Sequence, residues 1–364
     1  MTAPRFHSLR IASLHHDTAD SVVLGFVVPD ALRPAYRFTP GQFLTLRATI
    51  DGAELRRPYS LCSDPDDPEP RVGIRHLPGG RFSGFANQML RVGDRLDVMT
   101  PDGRFGLPPE PGARRTLLFC AAGSGITPIL SILRATLARE AGRAILLYAN
   151  RTRASIMFRA EIEALKDRYL DRLAVAHFLS REIQDGSALA RLDPPALRRL
   201  LTATAPGGVD HAFLCGPPAL TDALADALTD ALADVAVAGR VHRERFTPAE
   251  DAAAPLIAPA PLIAPAPAPG TAAAHATVTF DGVRTRIPLG AKDTILGAGL
   301  RAGLNLPYAC RGGMCCTCRA RLTEGEVAMD ANYSLEPWEM AAGYVLTCQA
   351  RARTAELAVD YDQM

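Results

Sequence analysis

The stretch Cys310-Arg-Gly-Gly-Met-Cys315-Cys316-Thr-Cys318, with 29 residues separating Cys318 from Cys348, decides how this chain is read. The spacing C-x4-C-x2-C…C offers four thiolates, three from one tight loop and one from a distant segment. Two sulfide-bridged irons need that number in that arrangement. Gly312 and Gly313 let the backbone come close and turn its N–H groups toward sulfur. Cys316 lies outside the spacing and reads as a small packed residue, not a ligand. A structural zinc site is one alternative, but zinc sites show two C-x2-C pairs or Cys/His pairs, and neither is present. A disulfide framework is another, but it suits small secreted domains, and no secretory leader is expected here. The expected metal ligands are therefore Cys310, Cys315, Cys318 and Cys348, holding a [2Fe–2S] cluster.

The flanking sequence gives the loop a setting. Val278 to Ile287 alternates around Asp281-Gly282 and predicts a β-hairpin. Thr294 to Gly303 predicts a short helix closed by glycine. Leu306-Pro-Tyr-Ala309 then leads into the loop. Residues 275–364 as a whole resemble a plant-type ferredoxin, which implies a β-grasp fold. Ferredoxins that roam between partners tend to be strongly acidic, whereas here acidic and basic residues nearly balance. A tethered domain needs no long-range steering toward its donor.

Composition sets the wider bounds. A chain of 364 residues with 48% hydrophobic content accommodates two or three cored domains. A formal net charge of +1 argues against a general nucleic-acid binder. No apolar run reaches the roughly 18 residues of a membrane helix, so no membrane span is expected. The remaining cysteines, Cys62, Cys120 and Cys215, are scattered, which fits a reducing cytoplasm and one metal site. Ala252 to Gly270 is proline- and alanine-rich with a tandem Pro-Leu-Ile-Ala-Pro-Ala repeat. Proline at that density forbids helix and central strand, so a semi-rigid spacer is expected, a passive tether in preference to a swinging arm. The expected organisation is residues 1–111, 112–247, a linker at 248–274, and 275–364.

Residues 1–111 alternate apolar runs with Gly/Pro turns: Ser21–Val28, Gln42–Arg47, Arg71–Arg75 and Asp94–Met99. Short strands so spaced predict an antiparallel β-barrel. Within them lies Arg57-Pro58-Tyr59-Ser60, and further on Gly79-Gly80-Arg81-Phe82-Ser83. The first resembles the R-x-Y-S signature, and the second the G-x-x-S turn, of the ferredoxin–NADP reductase family. The resemblance implies an FAD site in which Tyr59 packs on the isoalloxazine, Ser60 reaches flavin N5 and Arg57 meets the pyrophosphate. Gly80, Arg81, Phe82 and Ser83 would open a helix onto the flavin phosphates. Each role suits its group: an aromatic face, a hydroxyl, a bidentate guanidinium and a helix N-terminus.

From residue 114 the pattern alternates strand and helix. Thr116–Cys120, Ala144–Tyr148, Leu173–Phe178 and His211–Cys215 are apolar runs with helical stretches between them, which predicts a doubly wound parallel α/β sheet. The first run ends in Gly123-Ser124-Gly125-Ile126-Thr127-Pro128, an incomplete G-x-G-x-x-G because proline holds the third position. Glycines there let a pyrophosphate approach a helix N-terminus, with Thr127 expected to cap the helix and Pro128 in its first turn. Cys215-Gly216-Pro217 resembles the reductase family's C-G-P, which implies Cys215 near the nicotinamide. Ser180-Arg181-Glu182 resembles its S-R-E grip on the adenosine 2′-phosphate, with Arg151 adding charge nearby. That implies NADPH, with NADH less favoured. Glu244-Arg-Phe246 resembles the segment that returns to the flavin, with Phe246 covering its far face.

NADPH delivers two electrons as hydride, an iron–sulfur cluster accepts one at a time, and a flavin handles both. Ser60 and Cys215 are the expected hydride-transfer residues. The order barrel, nucleotide domain, ferredoxin spans essentially the whole chain and resembles reductase components of multicomponent oxygenases. Leu306–Arg319 with its doubled cysteine, Glu324–Tyr333, Gly343–Cys348 and Val359–Gln363 are similar to the branch serving phenylacetyl-CoA ring epoxidation, in phenylacetate catabolism. The resemblance implies a di-iron oxygenase as electron acceptor. A reductase for another oxygenase or hydroxylase, or a non-enzymatic electron-carrier adaptor, would share much of this sequence.

Overall fold

A computed structural model of the chain describes residues 5–182, 191–231, 241–246 and 274–363. The Pro/Ala-rich linker lies outside them, except that Ala274 already belongs to a strand. Among the described residues, 5–6, 51–58 and 274–363 form one compact unit, and 7–50 and 59–246 another.

The N-terminal sheet comprises β1 (Phe6–Thr18), β2 (Ser21–Val27), β3 (Phe43–Ile50), β4 (Ala53–Ser60), β5 (Arg71–Arg75) and β6 (Arg95–Met99), in the order β4-β3-β6-β1-β2-β5. The pairs β1–β2, β2–β5 and β3–β6 are antiparallel. An isolated bridge, Leu61 to Val72, joins the segment after β4 to β5, so the sheet curls until its ends meet. β1 and β4 went unpredicted because their alternation is diluted by His, Arg and Glu. Helix α1 (Arg81–Gln88) lies between β5 and β6.

The second sheet is wholly parallel: β7 (Thr116–Ala122), β8 (Arg143–Asn150), β9 (Leu173–Leu179), β10 (His211–Gly216) and β11 (Val241–Arg245), in the order β11-β10-β7-β8-β9. Its helices are α2 (Ile126–Arg139), α3 (Arg159–Arg168), α4 (Pro194–Thr204) and α5 (Pro218–Ala231). The pleat explains the near-continuous apolar strands. Leu117, Phe119 and Ala121 point into a core with α2 and α3, while Leu118 and Cys120 point into a second core with α4 and α5. The first core also holds Val23, Cys62 and Phe105, so the curled sheet and the parallel sheet share one interior. Hydrogen bonds reinforce the join: Ser131 Oγ donates to Ser63 O (2.7 Å), and the Phe158 N–H donates to Asp17 Oδ2 (2.7 Å).

The strand order reverses between β7 and β10, and ligands bind at such switch points in open α/β sheets. There the turn Gly123–Gly125 meets the end of β10. A Cβ on Gly125 would lie 2.2 Å from the Cys215 carbonyl oxygen, so only glycine permits the approach. The expectation that Thr127 caps α2 is not met. Gly125 is the N-cap, and Thr127, one residue inside the helix, donates its hydroxyl to Ser124 O at 3.0 Å.

The C-terminal sheet is β13-β12-β18-β14-β16, built from β12 (Ala274–Phe280), β13 (Val283–Leu289), β14 (Arg319–Glu324), β16 (Tyr344–Leu346) and β18 (Glu356–Asp360). A small ribbon pairs β15 (Val327–Met329) with β17 (Ala350–Ala352). β12 and β13 form the expected hairpin, with Asp281 and Gly282 both at positive φ as a tight primed turn demands. Helix α6 (Ile295–Arg301) starts where Thr294 accepts the Gly297 N–H, and it packs into the domain core. A short α7 (Pro337–Ala341) precedes β16. The parallel β12–β18 pair completes a β-grasp.

Gly125→Ala is expected to destabilise the protein by about 1–3 kcal/mol, because backbone and not a flexible side chain blocks the new methyl. Gly207→Ala, with nothing within 4 Å of its Cβ position, serves as the control and should leave Tm within about a degree. Equal Tm values for the two variants, measured calorimetrically, would overturn the close-approach account.

Candidate functional site

Strand β4 runs out at Ser60, whose side chain is buried. In the parallel β10–β11 register Cys215 pairs with Glu244, so their side chains lie on the same face, the one shared with the curled sheet. Glu244 bridges the two predicted hydride-transfer residues. Ser60 Oγ donates to Glu244 Oε2 at 3.4 Å, and Cys215 Sγ approaches the same oxygen at 3.8 Å. Burial pushes the Glu244 carboxyl up to about 8, although the Ser60 and Cys215 hydrogen bonds pull the other way. Burial, and next the nearby Glu244 carboxyl, push the Cys215 thiol well up, so it stays a thiol. Glu244 is the residue that sequence reasoning passed over as part of a returning segment. A single Glu in Val-His-Arg-Glu-Arg gives no sign that its strand is packed against β10.

The other candidate flavin residues lie on β4 and at the start of α1. Tyr59 is half-buried, its ring centroid 5.7 Å from that of Phe82. Phe82 itself is buried and lies edge-on to Phe85, so it backs Tyr59 rather than facing a ligand. Ser83 turns inward: its hydroxyl donates to Gly80 O and accepts the Leu77 N–H, both at 3.1 Å, tying down the Gly79–Gly80 turn. Gly80 is the N-cap of α1 and supplies no side-chain cap. No side chain caps α1, which suits its N-terminus to flavin phosphates. Arg81 donates to Ile50 O at 2.5 Å. Arg57 and Pro58 are half-buried, and Arg57 Nη1 donates to the Arg56 carbonyl at 2.8 Å.

At the switch point Gly123 has φ +55°, and its carbonyl accepts the buried Tyr148 hydroxyl at 2.9 Å. Gly123 and Ser124 are partly exposed, whereas Thr127 and Pro128 are buried beneath the turn and shape it from below. The 14-residue α2 has no side-chain cap, so this N-terminus too fits a pyrophosphate. Gly216 is buried and Pro217 exposed, and the Gly216 carbonyl accepts the Phe246 N–H at 3.2 Å. That bond brings Phe246 back beside the Cys215 end of β10, packed against the shared core. Arg151, Ser180 and Arg181 are exposed at the C-terminal ends of β8 and β9, where the Ser180 and Arg181 N–H groups donate to the Asn150 and Arg151 carbonyls. Neither Arg151 nor Arg181 has an acidic partner among the described residues.

The cysteine loop stands by itself in the C-terminal unit. Positive φ at Arg311, Gly313 and Cys316 curls it tightly. No three His, Cys, Asp or Glu side chains among the described residues converge as a single metal ion needs. The thiols meet in two pairs instead, Cys310 with Cys315 and Cys318 with Cys348. Two pairs suit two irons sharing four thiolates. The Gly312 N–H points at Cys310 Sγ (3.4 Å) and the Cys310 N–H at Cys315 Sγ (3.5 Å), the type of contact that tunes such sulfurs. Cys316 turns away, its thiol 3.0 Å from Ser334 Oγ.

Two outcomes are expected here. Glu244 in the folded protein binds its proton more tightly than the ordinary value of 4.5 allows. The associated stabilisation is full below about pH 4.5 and is lost as pH rises through about 8. Thermal unfolding across this range should show Glu244→Gln gaining on the wild type as pH rises, and parallel curves would contradict the assignment. Cys315→Ser should abolish cluster absorbance and Cys316→Ser should keep it. A cluster retained in Cys315→Ser would refute the ligand set.

Comparison with known proteins identifies the domains. Residues 10–106 match an oxidoreductase FAD-binding domain, 119–226 an oxidoreductase NAD-binding domain, and 278–353 a 2Fe-2S iron-sulfur cluster binding domain. The chain is 42% identical over 361 residues to a component of the 1,2-phenylacetyl-CoA epoxidase of Escherichia coli, covering 98% of each. It is 34% identical over 340 residues to the ferredoxin reductase component of 3-ketosteroid-9-alpha-monooxygenase from Rhodococcus rhodochrous, covering 93% of this chain and 92% of that one. Phthalate dioxygenase reductase shares the fold, with a TM-score of 0.55 at 23% identity over 98% of each chain. The chain thus belongs to the ferredoxin–NADP reductase superfamily in its three-domain form, an NAD(P)H-dependent flavin and [2Fe–2S] oxidoreductase.

Proposed function

We propose that this protein is the NADPH-dependent reductase of a di-iron oxygenase that epoxidises the ring of phenylacetyl-CoA. The observation that carries the redox reading is the Ser60–Glu244–Cys215 contact, where the end of a barrel strand meets the switch point of a nucleotide-binding sheet. The acceptor rests on the 42% identity to the phenylacetyl-CoA epoxidase component. The steroid-monooxygenase relative, at 34%, makes other oxygenases the alternative. No helix among the described residues is long and apolar enough to cross a membrane. Cysteine ligands in a chain otherwise rich in free thiols suit the cytoplasm.

Bound FAD supplies the exchange between two-electron and one-electron chemistry. The chain's own residues do the positioning. Tyr59 offers a ring face to the isoalloxazine, Arg57 a guanidinium to the pyrophosphate, and the uncapped first turn of α1 its amides to the flavin phosphates. The glycine turn before α2 would receive the dinucleotide pyrophosphate, with Cys215 as a wall for the nicotinamide. Phe246, beside the Cys215 end of β10, would cover the far face of the ring. Ser60, whose hydroxyl donates to Glu244, would offer its oxygen to flavin N5. Glu244, protonated at neutral pH, keeps its carboxyl oxygen 3.4 Å from Ser60 Oγ and would be a proton source beside the bound flavin. Arg151, Ser180 and Arg181 suit a 2′-phosphate, since Arg151 and Arg181 carry no acidic partner among the described residues and stand on the nucleotide side of the sheet.

Anaerobic titration with NADPH, repeated with NADH, tests this. Bleaching of the flavin and iron–sulfur bands at few-fold NADPH is expected. Bleaching by neither nucleotide in protein holding both cofactors would overturn the reading. Arg181→Ala should raise the KM for NADPH about tenfold, roughly 1.4 kcal/mol, and leave that for NADH unchanged. Preferential reduction of a phenylacetyl-CoA epoxidase over a steroid monooxygenase would support the acceptor, and the reverse would reassign it.

A further inference from the structure

The C-terminal domain carries nearly balanced charge, so an acidic surface does not draw a partner to its cluster loop. What it exposes instead is apolar. Tyr333 is 51% exposed, Trp338 63% and Met340 43%, all within one short segment. Pro337 and Ala341 are exposed with them, so every residue of α7 that reaches solvent is apolar. Glu339, inside α7, adds no charge to that face. It is fully buried, with Oε1 2.6 Å from Arg319 Nη1 and Oε2 accepting the Glu336 N–H at 3.0 Å. The Glu336 carboxylate turns back onto the Glu339 N–H to complete a capping box.

This segment is tied to the cysteine loop of its own domain. The Gly313 carbonyl, two residues before the ligand Cys315, accepts the Tyr333 N–H and the Ser334 hydroxyl, both at 3.1 Å. Ser334 Oγ also meets the thiol of Cys316, between the ligands Cys315 and Cys318, at 3.0 Å. Asn332 shapes the turn. Its Oδ1 accepts the Ser334 and Leu335 N–H groups at 3.2 and 2.8 Å, and its Nδ2 reaches Met340 Sδ at 3.3 Å. The face is therefore held in shape beside the loop, and a partner loses little affinity to ordering it. Large apolar side chains gathered at a surface mark an interaction site, and Trp, Tyr and Met are enriched in such sites.

We infer that the outer face of α7, with Trp338 and Met340 at its centre and Tyr333 beside them, is the docking surface for the oxygenase component that takes electrons from the cluster. The inference rests on the reading that an oxygenase is the acceptor. An acceptor has to come up to the cluster, and this face is hydrogen-bonded to the loop that carries three of its expected ligands. Every α7 residue at the surface is uncharged, so the matching patch on the oxygenase is apolar and the complex survives added salt. One electron at a time leaves the reduced cluster and reduces the oxygenase, with no bond made or broken at the face.

The test uses the full-length holoprotein and the purified oxygenase subunits of a phenylacetyl-CoA epoxidase. Reduced protein is mixed anaerobically with increasing oxygenase, and reoxidation of the cluster is followed. Trp338→Gln and Met340→Gln should raise the half-saturating oxygenase concentration about tenfold, as loss of a central interface side chain does. Reduction of flavin and cluster by NADPH should not change. Val283→Gln is the control and should match the wild type. Val283 is also 63% exposed, but it lies on β13, at the opposite edge of the sheet from β16, which follows α7. Wild-type half-saturation should move less than about twofold when salt is raised to about 0.5 M. A second readout needs no electrons. Trp338 is the chain's one tryptophan, so protein labelled with fluorotryptophan gives a single fluorine resonance. Adding oxygenase to the oxidised, labelled protein should shift or broaden it. An unmoved resonance, or wild-type half-saturation in Trp338→Gln, would overturn the docking face. Slower flavin-to-cluster transfer in Trp338→Gln would give the face to the protein's own flavin domain, and loss of self-association would give it to a second copy; either overturns the oxygenase as occupant. A wild-type cluster that the oxygenase does not reoxidise would overturn the acceptor reading itself, and the docking inference with it.

Discussion

Two backbone turns come together at the head of the parallel sheet with no side chain between them, and the site is built on that contact. Gly125 lies so close to the Cys215 carbonyl that a methyl group cannot be inserted. The approach sets the exposed glycine turn and the end of β10 side by side. It also fixes where Cys215 stands, and through the β10–β11 register where Glu244 stands. Close packing makes such a contact hard to deform, because protein interiors yield little to added volume. The curled sheet is locked to this platform by a shared apolar core and by hydrogen bonds from Ser131 and Phe158. Ser60 therefore reaches Glu244 from a different sheet without needing a flexible arm.

A buried carboxyl at that junction costs energy unless it keeps its proton. Glu244 does so at neutral pH, with Ser60 and Cys215 as its side-chain partners among the described residues. The stability given up by burying it yields a group with a proton available near neutrality, the condition under which proton exchange is most effective. The same logic keeps Cys215 a neutral thiol: it forms a close, uncharged wall and not a nucleophile.

The cluster loop meets a different constraint. It must present four sulfurs in two pairs and still give its N–H groups to them. It does so by placing three residues at positive φ, two of them not glycine. That conformation is strained for Arg311 and Cys316, and it is offset by surrounding bonds from Gln349 to Arg311 and from Cys316 to Ser334. Cys316, the residue after ligand Cys315, packs against the domain core instead, with its thiol on Ser334.

The sequence by itself determined the three modules, four of the five strands of the parallel sheet, the hairpin at Asp281-Gly282 and the cysteine spacing. Each of these is a local pattern, in which periodicity, turn chemistry or ligand spacing is written in neighbouring residues. Only the tertiary structure decided what depends on distant strands. Thr127 looked like a helix cap but is buried two residues past the cap, because the glycine turn itself begins the helix. The side chains of Phe82 and Ser83 serve the packing behind Tyr59 and the turn before α1, which leaves their part in a flavin site to the backbone of the first turn. Glu244 carried no motif of its own. Its place between Ser60 and Cys215 comes from a register between two parallel strands and a second sheet folded over them, and a burial-driven proton affinity has no signature in one dimension.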